Sequence, residues 1–323
     1  MPEQAPGPRD PAPSPTFPFQ VGEPTEHRGI VVAPLFPTRD PLALYATLDD
    51  ALARGFEITE TGPDGAVPEL AVSNPLDDAV LLYDGEELAG AKQNRILDVS
   101  VLVAAGSKLV VPVSCVERGR WRAVSRSFSS AGHVAHAQLR RMKTRALGAE
   151  PLARGAAQGA VWDSVDTRLE ALDVASETRA HSDAFRAHRR RLDDLAAAFG
   201  VLPGQCGAVF GIGDTLCLDA LSRPDAFAAL WPKLRDGYLL DALDRLDRAP
   251  TRPERMLAFV DEVTEAAVTR GPAAGLGVDL RFRGPGVVGS GLELDGEVIQ
   301  LSAFTVTAEA AEGRIARPSQ RAR

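Results

Sequence analysis

The hydrophobic pattern of this chain changes period twice, and this limits the possible folds more than any other feature of the sequence. From residue 28 to 125 the apolar residues come in short, β-branched runs: GIVVAPLF, VPELAVSN, AVLLY, VSVLVAA and KLVVPVSCV. Turn residues part them, among them Asp64-Gly65 and Asp84-Gly85, so this part reads as strands. Asp40-Pro41 offers a cap and first-turn proline for one short helix carrying Leu44, Leu48 and Leu52, stopped by Gly55. From 127 to 200 the spacing becomes helical. Ala135, Leu139, Met142 and Ala146 form one stripe, Val161, Val165, Leu169 and Leu172 a second, and Phe185, Leu192, Ala196 and Phe199 a third. From 204 onward both periods mix. AVFGI and TLCLDA flank Gly213-Asp214, Pro224 opens a helix with Phe227, Leu230 and Trp231, and Thr251 with Glu254 spells a capping box. GLEL-Asp295-Gly296-EVIQL is the clearest hairpin.

Runs of strands, then helices, then both imply an α+β fold. We expect an N-terminal antiparallel sheet or sandwich, a central helical block, and C-terminal mixed hairpins and helices, packed as one compact unit. Residues 1–27 hold eight prolines and little periodic apolar content, which predicts a disordered leader. The single domain is then 28–305, with a β-rich part to 125, a helical part over 126–203 and an α+β part over 204–305. Residues 306–323 read as a flexible basic tail.

Composition closes off several function classes. The chain has 323 residues, 45% of them hydrophobic and 25% charged, as in an ordinary globular protein. No apolar run approaches the roughly 18 residues of a membrane span, and the N-terminus lacks the basic and apolar regions of a signal peptide. Three cysteines without a CxxC pair argue against a disulfide framework or zinc finger and for a reducing cytoplasm. A net charge of −8 disfavours nucleic acid as a partner. Against that balance, Arg118 to Arg145 carries eight basic residues and no acidic one. It is either an anion site or a basic face docked on acidic helices.

Most motif candidates fail on their chemistry. GEELAG has phosphate-loop glycine spacing, but Ala91 intervenes before Lys92, and Gln93 follows that lysine in place of Ser or Thr. GIGDTL lacks the third glycine of a dinucleotide loop, and GSG at 289–291 lacks the flanks of a nucleophile elbow. His133 and His136 have metal-competent spacing, yet no carboxylate or third histidine is close in sequence, so no metal is expected. Cys115 reads as a small buried hydrophobe, because neighbouring Glu117 would raise its pKa.

The stretch DGEELAGAKQNRIL, 84–97, remains. It interrupts two apolar runs with Asp84, Glu86, Glu87, Lys92, Gln93, Asn94 and Arg95. Read as one strand, Glu87, Ala89, Ala91, Gln93 and Arg95 share a face, and neither face is a plain core face. It is either a polar pocket floor or a buried ion-pair network tying sheet to helices.

That stretch, followed by GSKLVVPVSCVERGRW at 106–121, resembles the bacterial ADP-ribosylglycohydrolase (ARG) and rhodanese-phosphatase-superfamily-associated protein domain family. The resemblance continues through GAVWDSVDTRL, FAALWPKLRDGYLLDAL and VGSGLELDGEVIQLSAF, over roughly residues 28 to 305. It implies a place in NAD and ADP-ribose processing, with ADP-ribosylglycohydrolase or phosphatase-like proteins as neighbours. The expected ligand is nucleotide-like, an NAD-derived or ADP-ribose-like molecule that the chain binds and, if an enzyme, hydrolyses. Glu86 or Glu87 is then the acid–base candidate. Asp84, Lys92, Gln93, Asn94, Arg95, Glu117, Arg120 and Trp121 are the binding candidates, and no cofactor is assigned. The competing expectation is a non-enzymatic sensor or partner module for an ADP-ribose-processing enzyme.

Overall fold

A computed structural model gives the fold, described over residues 19–62, 68–147 and 154–306. Residues 1–18 of the leader, the Asp64-Gly65 turn and residues 307–323 of the tail lie outside the described residues.

The α+β expectation holds, with strands in three sheets and helices packed over them. The largest sheet is antiparallel throughout. Its spatial order is Phe19–Val21, Ile30–Pro37, Gly207–Ile212, Thr215–Leu221, Glu297–Thr305, Val287–Leu294, Val278–Arg283 and Ala267–Pro272, with Thr25–His27 also pairing Ile30–Pro37. Two expectations are corrected here. Residues 19–27 belong to this sheet, so the ordered chain starts before residue 28. And Ile30–Pro37 leaves the 28–125 strands to pair with Gly207–Ile212, in register from Ile30↔Ile212 to Leu35↔Gly207. Its first six residues are all buried, as suits a strand covered on both faces.

A second sheet runs Phe128–Val134, Glu86–Gly90, Arg95–Leu97, Lys108–Cys115, Glu69–Ser73 and Glu57–Glu60. The third joins Val101–Val103, Ala79–Leu82 and Tyr45–Thr47, the last pair parallel. Phe128–Val134 is thus a strand where the period predicts helix. The Asp40-Pro41 helix also shrinks: only Leu48–Ala53 is helical, and Leu44 is exposed.

Helices Ala137–Leu147, Arg154–Ala171, His181–Ala187, Arg189–Ala196 and Pro224–Ala242 fill the space between the two large sheets. The predicted stripes point inward: Leu139, Val161, Val165, Leu169, Phe185, Leu192, Phe199, Phe227 and Trp231 share one core. Pro253–Glu265 covers the other face of the large sheet through Met256, Phe259 and Val263. Its predicted capping box does not form; Thr251 Oγ1 instead donates to the Gly213 carbonyl at 2.7 Å, tying the helix start to the hairpin turn.

Candidate functional site

The polar stretch 84–97 is a tight hairpin, and its register decides which side chains meet. Glu86–Gly90 and Arg95–Leu97 pair antiparallel, Glu87 opposite Ile96 and Leu88 opposite Arg95. Directly opposed residues share a face. Glu87 therefore points with Ile96 toward the helices, and Arg95 points with Leu88 to the other side. This corrects the single-strand reading, which put Glu87 and Arg95 on one face. Residues 91–94 are the turn, entered through Ala91 at φ 38°.

Glu87 is fully buried and meets two histidines, with a third behind them. His133 Nε2 lies 2.8 Å from Glu87 Oε2, and His181 Nδ1 lies 2.7 Å from the same oxygen. Behind them, His136 Nδ1 lies 2.8 Å from His181 Nε2. Each arrives from a different element. The pairing of Phe128–Val134 with Glu86–Gly90 slips between Ser130 and Val134, a bulge containing Gly132 at φ 79°. A bulge re-aims a side chain, and here it turns His133 inward onto Phe185, ring centroids 3.8 Å apart. His181 opens its helix and is held by its own N–H, which donates to the Val116 carbonyl at 2.9 Å. His136 sits in the turn before Ala137–Leu147.

Electrostatics at the centre are set by burial against pairing. Burial favours a neutral Glu87, but His133 and then His181 outweigh it and hold the carboxyl down to about 2. Burial pushes His136 down to about 3, with Asp241 opposing. Both Glu87 oxygens are engaged, since Asn94 Nδ2 donates to Oε1 at 3.2 Å. Glu87 is thus placed to fix imidazoles rather than to abstract a proton. Glu87, His133 and His181 also offer three donor atoms within 4.8 Å of one another, a set able to hold a metal ion.

Asn94 connects this centre to the rim. Its backbone N–H donates to Glu117 Oε2 at 3.1 Å, and its Oδ1 accepts from Arg120 at 3.1 Å. Arg120 and Glu117 form an ion pair at 2.6 Å. Burial acts against the Glu117 carboxylate, but the Arg120 guanidinium and the Asn94 N–H prevail and lower its pKa.

Comparison with known families matches residues 18–304 to the ARG and Rhodanese-Phosphatase-superfamily-associated Protein domain. The chain belongs to that family. No curated protein and no solved structure matches it.

The remaining positions behind the family resemblance fall into two groups. On the opposite face, Arg95 is fully buried and donates to Gln93 Oε1 at 2.8 Å and to Cys115 Sγ at 2.6 Å. Trp121, half exposed, lies over Arg95 and Lys92, with ring-to-charge distances of 5.7 and 5.4 Å. Burial pushes the Cys115 thiol up to about 11 in spite of Arg95, which disfavours the thiolate at neutral pH. The second group ties the sheets to the helices, as the ion-pair reading expects. Glu86 pairs with Lys233 at 2.9 Å and accepts the Tyr83 N–H. Asp84 lies 3.6 Å from both Arg140 and Lys143.

The basic segment 118–145 does not form one anion wall. Arg140 is fully buried on Asp219, Lys143 pairs with Asp98, and Arg118 pairs with Asp166. Arg141 of the segment joins a group of arginines, with partners from other parts of the chain. A cavity of about 240 Å³ is lined by Gln138, two positions after His136, with Arg141, Arg168, Asp241, Asp244 and Arg245. Thr215 and Arg245 also line a neighbouring groove of about 590 Å³ that carries Arg248, Arg252 and Arg255.

Sequence reasoning named Glu87 and Asn94 as candidates but did not bring the histidines to them. It rejected His133 and His136 for lack of a nearby carboxylate and third histidine; the fold supplies both from positions 87 and 181. The only signal available was local: His133 and His136 sit in the apolar stretch HVAHA, whereas His181, in RAHSDAF, carries none.

Proposed function

We propose that this chain binds an NAD-derived or ADP-ribose-like ligand and hydrolyses it at the Glu87–His133–His181 centre. One observation carries the reading: a fully buried carboxylate holds two imidazoles, with a third behind them. Burying a charge is costly unless it is paired, and sheet packing alone asks for no such group on a face shared with Ile96. An imidazole can both give and take a proton, which is what cleavage of a glycosidic or phosphoanhydride bond by water requires. The family's association with ADP-ribosylglycohydrolases and rhodanese-phosphatases supports the substrate class, as do the arginines that line the cavity beside Gln138 and the adjoining groove. Arginine suits phosphate oxygens through paired N–H donors. A cytoplasmic setting belongs to the same reading; among the described residues no helix is long and apolar enough to cross a membrane.

A second reading has its own observation. Asp84, Glu86, Glu117 and Arg120 are closed into internal pairs, as in a scaffold that presents a surface to a partner enzyme. Incubation of the purified chain with NAD, ADP-ribose and an ADP-ribosylated protein separates the two. Product on chromatography supports hydrolysis. No product, together with co-purification of an ADP-ribosylglycohydrolase, supports the partner module.

A further inference from the structure

The centre has a capacity that hydrogen bonding does not exhaust. We infer that Glu87 Oε2, His133 Nε2 and His181 Nδ1 bind one divalent transition-metal ion. The three atoms come from parts of the chain far apart in sequence, yet lie within 4.8 Å of one another. Two imidazole nitrogens converge on a single carboxylate oxygen, at 2.8 and 2.7 Å. An ion bound to nitrogen and oxygen ligands at about 2.0–2.2 Å keeps those ligands roughly 3 Å apart, so the side chains already stand near ligation distance. All three residues are buried, so the ion would sit away from bulk solvent.

The donor set selects the class of ion. Two imidazoles and one carboxylate suit zinc, iron(II), cobalt(II) or nickel(II). Calcium and magnesium want more oxygens than this centre presents. Three protein donors leave a coordination position for water or ligand.

The surroundings match what metal-bound histidines need. With Nδ1 of His181 given to the ion, its Nε2–H is left to donate, and His136 Nδ1 is there to accept at 2.8 Å. Such outer partners fix the tautomer and ring orientation of a ligating histidine. Asn94 steadies the other Glu87 oxygen, and Phe185 stacks on the His133 ring. A dication also supplies the opposing charge that a fully buried carboxylate calls for. An ion held here would occupy the imidazole nitrogens that proton exchange uses and leave that task to other groups; metal uptake and product formation are measured separately, so either reading can fail alone.

The test uses the full chain, stripped with a chelator and titrated with Zn²⁺ and separately with Co²⁺. One equivalent of Zn²⁺ should bind with a sub-micromolar Kd. Co²⁺ should give visible d–d absorption without a thiolate charge-transfer band, which excludes the three cysteines. His133→Ala and His181→Ala should each weaken Zn²⁺ binding by more than about 100-fold. His136→Phe should weaken it by roughly 10- to 100-fold, as loss of an outer partner does. His188→Ala, outside the centre, should leave it unchanged. Circular dichroism checks each variant, and if His181→Ala does not fold, His133→Ala and the wild-type cobalt spectrum decide. No Zn²⁺ uptake by the stripped wild type, uptake that survives His133→Ala, or a thiolate band with cobalt would overturn the inference.

Discussion

Adjacent carboxylates in this chain do different work, and their partners show why. Glu86 meets Lys233 and the Tyr83 N–H, whereas Glu87 meets imidazoles and Asn94. Lys233 is itself shared, with Asp49 at 2.6 Å on its other side. Removing Lys233 leaves Glu86 buried without a cation, so Lys233→Ala should cost roughly 3 to 5 kcal/mol of stability. Glu86→Ala leaves Lys233 its Asp49 partner and should cost less, about 1 to 3 kcal/mol. Urea midpoints of the two variants check the order; equal losses would mean that Asp49 does not support the lysine. The cysteines give a second residue-scale prediction. Burial pushes Cys115 up to about 11 and Cys206 and Cys217 up to about 12. The folded chain should therefore resist iodoacetamide at neutral pH and label at all three thiols once unfolded. Rapid labelling of Cys115 in the native chain would restore it as a candidate nucleophile.

The element that organises the site is the 84–97 hairpin, and it was only half legible in the sequence. Asp84-Gly85 reads correctly as a turn, with Gly85 at φ 82°. The second turn was invisible because its residues, Ala91 to Asn94, include no turn-forming glycine and place alanine at positive φ. Missing that turn put Arg95 on the wrong face. The histidines were hidden for a related reason: a bulge and a helix start deliver them, and neither leaves a fixed spacing between ligand positions. Gly90 is where the hairpin touches the segment leading into the bulged strand. It has φ 127°, and an added Cβ would stand 2.5 Å from Ser125 Oγ and 3.0 Å from the Ser127 carbonyl oxygen. Gly90→Ala should therefore lose about 1 to 3 kcal/mol through backbone strain, before any effect on contacts. An unchanged urea midpoint would show that the hairpin tolerates a different path.

At the scale of the whole molecule, the fold class was legible from periodicity, but strand partners were not. Ile30–Pro37 reads as a strand of the first sheet, yet it pairs with Gly207–Ile212, and no local pattern records a partner so distant. That pairing, with helices lodged between the large sheets, makes the units interdependent. A fragment of residues 126–203 loses both Glu86–Gly90, the partner of Phe128–Val134, and the large sheet under Ala137–Leu147. It should show no cooperative unfolding by circular dichroism; a sharp two-state transition would contradict the single-unit picture. The same interdependence brings positions 87, 133 and 181 together, so the central claim concerns the assembled centre. The most direct measurement is product formation from NAD, ADP-ribose and an ADP-ribosylated protein by wild type, Glu87→Gln and His133→Ala, each verified as folded. The account predicts turnover of at least one substrate by wild type and a loss of about 100-fold or more in both variants, through the imidazole as a general acid–base group and through the carboxylate that orients it. Undiminished turnover in both variants, or no turnover of any of these substrates by wild type, would contradict it.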